Sequence, residues 1–312
     1  MPVRFFPHLE KIMVPLGKDG ASEALLNFLT CLLRGLPEDL VKVVYLVHVV
    51  SSDALKRASR RDLRLEALFE EEDLLRRLYQ EYLKREAEPF LAEARDKLRE
   101  VLPNLPVKEV ILSGNPPRVL SRFAYEEGCG AEIIARRGRS HIAELVLGSC
   151  THALLHRPGE HSTYVVGRKF VESGACRQPR FLVCLDGSKA SWKALEEAAG
   201  LAMLWKALEV VLFHVVDLLP EEEDRKGAVA DEILRTAEGF LRESGVQSRI
   251  SARAVVGDPA EEIVKEAEEG DYDLVFLGRR PRSPFEEFFL GSVSEKVMHR
   301  LTFPTLVVAI RG

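Results

Sequence analysis

The sequence has no long hydrophobic run and no apolar leader. No apolar stretch of its 312 residues approaches the roughly 18 that a membrane-spanning helix needs, and Met1–Glu10 lacks the apolar segment of a signal peptide. An excess of positive charge is also missing, because 44 Lys and Arg stand against 49 Asp and Glu, for a net charge of −5. This balance argues against broad nucleic-acid binding. We therefore expect a cytoplasmic protein with no membrane or nucleic-acid partner.

Cysteine is scarce and forms no recognisable pattern. The chain has five cysteines, with no CxxC pair and no Cys/His cluster at metal-ligand spacing, and we interpret them as reduced structural thiols. Ser149 and Ser292 have no evident neighbouring base, which argues against nucleophilic catalysis. The sequence therefore predicts no metal ligand and no catalytic residue.

The chain contains one pattern twice. Gly114-Asn115-Pro116 recurs 143 residues later as Gly257-Asp258-Pro259. Leu147-Gly148-Ser149 recurs at the same offset as Leu290-Gly291-Ser292. Because the offset is unchanged between these two motifs, the halves correspond without a gap over this stretch. Self-similarity of this kind indicates a duplicated domain.

The two halves differ by one insertion. His48-Val49-Val50 matches His214-Val215-Val216 at an offset of 166. Because the offset has fallen to 143 at Gly114, the first half contains extra residues, which lie mainly between Ser51 and Pro106. The segment 51–100 has apolar residues at near-helical intervals, and Pro89 should kink or divide it. We interpret this segment as a solvated helical flap with one packed face. A helix that binds a partner or a second chain is the alternative.

Each half alternates short apolar strands with helices. Continuous apolar strands joined by helices predict parallel pairing with helices on both faces of the sheet. The predicted fold is α/β, with two tandem open doubly wound domains that each contain a five-stranded, mainly parallel sheet. The predicted bounds are 1–168 for the first domain, with a helical insertion at 51–100, 169–179 for the linker and 180–312 for the second domain.

An arginine-rich loop follows the predicted fourth strand of each half, and ligands of such sheets bind outside the carboxyl ends of the strands. In the second half Gly278-Arg279-Arg280-Pro281 is followed, nine residues later, by Gly291-Ser292 at the start of a helix. The first half has Ala135-Arg136-Arg137-Gly138 and, at the same spacing, Gly148-Ser149. Glycine backbone, a helix start and arginine forks all suit a phosphate. No Walker A or GxGxxG motif occurs at these positions.

These residues resemble the universal stress protein family in its tandem form. Nucleotide-binding members carry Gly-x2-Gly-x9-Gly-Ser/Thr after strand four and an Asp at the end of strand one. The second half fits this pattern with Pro281 at the second glycine, and the first half fits it with Ala135 at the first glycine and Gly17 at the Asp position. The resemblance implies the fold of the adenine nucleotide alpha hydrolases and binding of ATP, with or without Mg²⁺.

The resemblance also implies individual roles. Asp186 would accept the adenine amino group, the backbone of Val215 would contact the same ring, and Val293 would add a main-chain contact to the phosphates. The expected phosphate residues are Gly278, Arg279, Arg280, Gly291 and Ser292. A weaker set in the first half comprises Val49, Gly138, Gly148 and Ser149. Because Gly17 offers no carboxylate, we expect the second half to be the better nucleotide site.

Two functions from different classes fit these features. The first is an ATP-binding universal stress protein that acts as a nucleotide-dependent regulatory or stress-response module, in which ATP alters partner contacts. The second is a nucleotide-free structural module that dimerises and binds a protein through 51–100. A slow ATPase is a weaker option, because no general base is identifiable. In this family the terminal strands, Tyr164–Val166 and Thr305–Ile310, often pair between domains, and a homodimer is expected.

Overall fold

Strands and helices alternate along both halves of the chain. The computed structural model describes residues 7–18, 21–34, 36–37, 39–51, 72–135, 148–157, 159–167, 178–217, 223–279, 292–301 and 305–310. The linker 169–179 therefore lies almost wholly outside the described residues. After a 3-10 turn at Pro7–Glu10, the first half contains the strands β1 (Lys11–Pro15), β2 (Val43–Val50), β3 (Val107–Ser113), β4 (Ala131–Ala135) and β5 (His161–Val166). Its helices are α1 (Ser22–Arg34), α2 (Glu72–Tyr82), α3 (Glu88–Val101), α4 (Pro116–Glu126) and α5 (Ser149–Leu155).

The second half repeats this order. Its strands are β6 (Arg180–Cys184), β7 (Glu209–Val216), β8 (Arg249–Val256), β9 (Leu274–Gly278) and β10 (Thr305–Ile310), and its helices are α6 (Lys189–Trp205), α7 (Glu223–Glu243), α8 (Pro259–Glu269) and α9 (Ser292–Arg300). Ser188 caps α6 by accepting a hydrogen bond from the Ser191 amide at 3.2 Å, and Asp258 caps α8 in the same way. These polar caps begin helices at the positions where the apolar strands have ended.

One ten-stranded sheet joins the two halves, in the order β3-β2-β1-β4-β5-β10-β9-β6-β7-β8. Strands within each half pair in parallel. The central strands are almost wholly buried because helices cover both faces. The predicted pair of doubly wound α/β domains is confirmed. The two halves have the same strand order, which is read in opposite directions across the sheet.

The halves meet where β5 and β10 pair antiparallel, with Val307 opposite Tyr164. This pairing covers the edges that both strands would otherwise expose, and it confirms that the terminal strands pair between domains. Because both terminal strands are paired within one chain, the expected homodimer would need another surface, and it stays a prediction.

A buried carboxylate also connects the halves. Glu197 on α6 has no exposed surface. It accepts hydrogen bonds from Ser162 at 2.6 Å and from the Tyr164 hydroxyl, and its Oε1 lies 3.2 Å from Nε2 of His8. All three partners belong to the first half. Burial of a carboxylate is tolerated only when its oxygens are satisfied in this way.

Among the described cysteines, Cys31 departs from the expected reduced state. Cys31 is disulfide-bonded, whereas Cys129, Cys150 and Cys184 are free. Spacing along the sequence gave no sign of this bond, because it depends on which thiols the fold brings together.

Helix α3 belongs to the repeated fold and not to an insertion. The offset of 143 continues backwards into this helix, since its buried residues match those of α7. The matching buried pairs are Ala87 and Ala230, Leu91 and Leu234, Ala94 and Ala237, and Leu98 and Leu241. The bounds 51–100 of the insertion stay a prediction, and the match with α7 favours a shorter insertion that ends before Ala87. A flap helix and a core helix share the same apolar periodicity, so the pattern alone did not distinguish them.

The helical segment that contains Pro89 is continuous, but it is irregular just before the proline. A π-helical turn, Leu83–Ala87, separates α2 from α3, and the proline occupies the first turn of α3. Proline offers no N–H and its ring crowds the preceding turn, so the regular hydrogen bonding of the helix is disturbed before it.

Leu91→Ala tests the assignment of α3 to the core. Leu91 is fully buried, so we expect its truncation to lower the free energy of unfolding by about 3 kcal/mol through lost burial and a residual cavity. Leu234→Ala, at the matching position of α7, should cost a similar amount. Urea unfolding measures both. If Leu91→Ala changed the free energy of unfolding by less than about 0.5 kcal/mol, as substitutions at exposed sites do, α3 would belong to the insertion and not to the core.

Candidate functional site

The strand order reverses between β6 and β9 in the second half and between β1 and β4 in the first. The carboxyl ends of these strands border a crevice in each half, which is where ligands of open parallel sheets bind. Each crevice therefore has one wall after β6 or β1 and another after β9 or β4.

Three elements converge at Gly278 in the second half. A Cβ on this residue would overlap the backbone of Ala190 and Ser191, so the first turn of α6 packs directly on the end of β9. Ser294, in the first turn of α9, donates a hydrogen bond to the Gly278 carbonyl at 3.3 Å. Two helix N-termini, each with a positive dipole end, thus approach one strand end. This arrangement favours an anion.

Asp186 lies on the loop between β6 and α6. Its side chain is exposed, and its Oδ1 accepts a hydrogen bond from the Ser188 amide at 2.9 Å. Gly187 has a φ of +76°, which glycine adopts without a steric penalty and which turns the chain between strand and helix. An exposed carboxylate is therefore held at the mouth of the crevice.

His214 and Val215 form the floor beside this carboxylate. The His214 Nδ1–H donates to the Leu185 carbonyl at 2.8 Å, which fixes the end of β7 against the end of β6. Val215 is half-buried and packs against the core below the sheet. Its main chain lies at the end of a strand that neighbours the crevice.

Arg279 is placed differently from our expectation. Its side chain is 5% exposed, and Nη1 donates to the carbonyl of Leu155 in the first half at 3.1 Å. Burial also lowers the pKa of this guanidinium from its ordinary value. Arg279 therefore has a structural role across the two halves that its position beside a loop did not predict, and its contact with a phosphate stays a prediction.

The remaining predicted residues are described only in part. Ser292 begins α9, and Val293 is half-buried against the core. Arg280, Gly291 and, in the first half, Gly138 lie outside the described residues.

The first-half crevice has different walls. Gly148 precedes α5 and Ser149 begins it, but α5 has only seven residues. Ala135 occupies the position of Gly278, so its Cβ prevents the close helix approach seen in the second half. Val49 packs against the core as Val215 does.

Aromatic side chains cover the end of β2 in the first half. Burial lowers the pKa of His48, and the neutral ring donates from Nδ1 to the Leu16 carbonyl at 3.0 Å. Its Nε2 lies 3.2 Å from the Tyr82 hydroxyl, so this nitrogen accepts the hydrogen bond. The Tyr82 ring stacks on His48 at an interplanar angle of 26°, and Phe90 meets the imidazole edge to face.

A model of the universal stress protein family matches residues 8–158 and, a second time, residues 179–309. The chain belongs to the universal stress protein family. The match occurs once in each half, so the duplication seen in the strand order is a duplication of the universal stress domain.

Known relatives agree with this assignment. Universal stress protein YxiE of Bacillus subtilis is 34% identical over 150 residues, which cover 41% of this chain and 97% of that protein. A universal stress protein of Methanothermobacter thermautotrophicus is 43% identical over 107 residues, covering 29% of this chain and 69% of that protein. The crystal structure of a universal stress protein from Archaeoglobus fulgidus matches with a TM-score of 0.67 at 19% identity, covering 99% of this chain and 98% of that one. This last likeness shows that the tandem fold is shared along the whole chain.

Within the part of the chain that the structure describes, no helix is both long and apolar enough to cross a membrane. Among the same residues, no group of three or more His, Cys, Asp or Glu side chains is arranged to hold a metal ion.

Sequence reasoning missed the residues that distinguish the two universal stress domains. Tyr82 and Phe90 fall within the predicted helical segment 51–100, but the sequence did not indicate that they lie over the strand ends of the first half. The signal was available in the offset of 143, because it aligns Phe90 with Ile233 and Tyr82 with Arg225.

Proposed function

We propose that the second half binds ATP or a related adenine nucleotide, and that the chain acts as a nucleotide-dependent regulatory or stress-response module. The observation that carries this proposal is the convergence of the first turns of α6 and α9 on the end of β9 at Gly278. The positive dipole ends of two helix N-termini beside one strand end favour phosphate groups.

The base end of the nucleotide is assigned to the opposite wall. Asp186 supplies an exposed carboxylate that can accept from an exocyclic amine, and the main chain of Val215 lies on the neighbouring strand end. The proposal places Gly278, Gly291 and Ser292 at the phosphates, with the main chain of Val293 beside them and Arg280 supplying positive charge. An accompanying Mg²⁺ would be held mainly by the phosphate oxygens.

A cytoplasmic location, a homodimer and a protein partner at the extra segment of the first half stay predictions. In a regulatory module, nucleotide binding stabilises the arrangement that it prefers and so changes what partners encounter. The alternative of a nucleotide-free interaction module gives the opposite result in the following experiment.

Asp186→Ala tests the assigned base reader. We expect ATP affinity to fall roughly 10- to 100-fold, because a hydrogen bond to a charged group contributes about 1.5–3 kcal/mol. Gly17→Ala, at the matching position of the first half, should leave affinity unchanged. Asp186→Asn keeps an acceptor for the Ser188 amide and so separates loss of the loop from loss of the charge. Isothermal titration with ATP measures all three variants. Absence of ATP binding by the unaltered protein would favour the interaction module.

A further inference from the structure

A cluster of aromatic and charged side chains lies on the end of β1 and β2 in the first half. The Lys18 ammonium lies over the Tyr82 ring at 5.2 Å and over the Phe90 ring at 5.9 Å from their centroids. The same ammonium pairs with Glu86 at 2.7 Å. With His48 underneath, these four side chains form what we call the aromatic cap, defined as Lys18, Tyr82, Glu86 and Phe90.

The aromatic cap can be compared with the second half residue by residue. The offset of 169 at the end of strand one aligns Lys18 with Gly187, and the offset of 143 aligns Phe90 with Ile233. A contact supports both alignments, since a Cβ on Gly187 would lie 2.9 Å from the Ile233 side chain. The two halves thus bring the same two positions together at the same wall.

The chemistry at this wall differs between the halves. The second half has a glycine at 187, an isoleucine at 233 and Val229, 52% exposed, at the position of Glu86. The first half instead has a lysine that contacts two aromatic rings and a glutamate. Among the described residues, a wall with Gly187, Ile233 and Val229 beside Asp186 thus corresponds to a wall with the aromatic cap beside Gly17.

The two histidines at the strand ends, His48 and His214, differ in how far their side chains are covered. Both donate from Nδ1 to the carbonyl that ends the neighbouring strand, at 3.0 Å in His48 and 2.8 Å in His214. His48 is nevertheless only 6% exposed, while His214 is half-buried. The Tyr82 hydroxyl occupies Nε2 of His48, and the rings of Tyr82 and Phe90 lie against its face and edge.

We infer that the aromatic cap closes the base-binding wall of the first half, so that each chain binds a single nucleotide, in its second half. The number of nucleotides bound per chain rests on the proposed function. The closure of the wall does not depend on that function. The Tyr82 hydroxyl forms a hydrogen bond with Nε2 of His48, and the Tyr82 ring stacks on the imidazole. A bound base would otherwise make these two interactions. A base could enter only by displacing these rings and separating Lys18 from Glu86.

Chemical modification of the histidines tests closure without nucleotide. Diethyl pyrocarbonate acylates accessible imidazoles, and the sites are located by mass spectrometry. We expect His48 to react more slowly than His214 in the unaltered protein, and this protection to be lost in Tyr82→Ala. Tyr79→Ala, on the same helix, is the matched control and should leave His48 protected. An unchanged rate at His214 shows that a variant is folded.

Tyr82→Phe separates the ring from its hydroxyl. The ring alone still covers the imidazole face, so His48 should stay more protected in Tyr82→Phe than in Tyr82→Ala. If His48 in the unaltered protein reacts as fast as His214, the wall is open and the inference is wrong. The same holds if Tyr82→Ala leaves His48 fully protected while His214 reacts normally.

The number of ATP molecules bound per chain tests the consequence. We expect one per chain by titration calorimetry, with affinity weakened by Asp186→Ala. Two per chain, or one whose affinity is unaffected by Asp186→Ala, would place a nucleotide in the first half and overturn the inference. If no ATP binds, the proposed function fails, and the modification experiment still decides whether the wall is closed.

Discussion

Replacing Gly278 with alanine is expected to weaken ATP binding more than about 100-fold, which corresponds to roughly 3 kcal/mol. The added Cβ would overlap the backbone of Ala190 and Ser191, and backbone atoms cannot rotate away as a side chain could. The first turn of α6 must therefore move off the end of β9, and Asp186 and Ser188 move with it. The phosphate end and the base end of the site are displaced together.

The same substitution should also destabilise the fold by about 3 kcal/mol, since overpacking a close-packed interior usually costs 1–3 kcal/mol. Urea unfolding and ATP titration on the same preparation measure the two effects. The reverse change at the matching position, Ala135→Gly, is the control and should cost about 1 kcal/mol or less, with ATP affinity unchanged. Normal ATP binding by Gly278→Ala would show that the close helix approach is not needed for the site.

Glu197→Ala is expected to produce the largest loss of stability, about 4–5 kcal/mol. The variant removes the Glu197 carboxylate from its hydrogen bonds with three buried groups of the first half, namely His8, Ser162 and Tyr164. Each unsatisfied buried polar group costs roughly 1–3 kcal/mol. Because the carboxylate is on α6 and its partners are in the other half, we expect the two halves to unfold less cooperatively.

Glu196→Ala is the matched control for this prediction. Glu196 is the preceding residue of the same helix, is about one-third exposed and pairs with Lys193 at 2.9 Å, so its loss should cost less than about 1 kcal/mol. Glu197→Gln keeps one acceptor oxygen, so its loss of stability should lie between those of Glu196→Ala and Glu197→Ala. Equal losses for Glu196→Ala and Glu197→Ala would mean that the buried contacts do not hold the halves together.

Much of the fold could be predicted from the sequence because its signals are local and repeated. The motifs at Gly114 and Gly257 fixed the register of two copies, and apolar strands with capped helices fixed the parallel sheets. The end of the insertion could not be fixed in this way. A stripe such as Leu91, Ala94 and Leu98 predicts that one face of a helix is buried. It does not identify the part of the protein that covers this face.

The candidate site was less predictable because its residues act through contacts distant in sequence. An arginine beside a glycine-rich loop has the chemistry of a phosphate ligand, but Arg279 reaches Leu155, 124 residues away. Likewise, nothing near Glu197 in the sequence indicates that its partners lie at His8 and on β5. Local patterns record propensity and periodicity, whereas these contacts depend on how the two halves face each other.

The antiparallel pairing of β5 with β10 has a consequence for how the two crevices can differ. When two copies of one chain form such a pair, any substitution is present on both sides, and a change that closes one crevice closes the other. Here the two sides are separate stretches of a single polypeptide. A glycine at position 17 leaves Asp186 in place, and Tyr82 can cover one wall while Arg225 stands at the matching position of the other. The shared sheet thus permits each crevice to change independently of its neighbour.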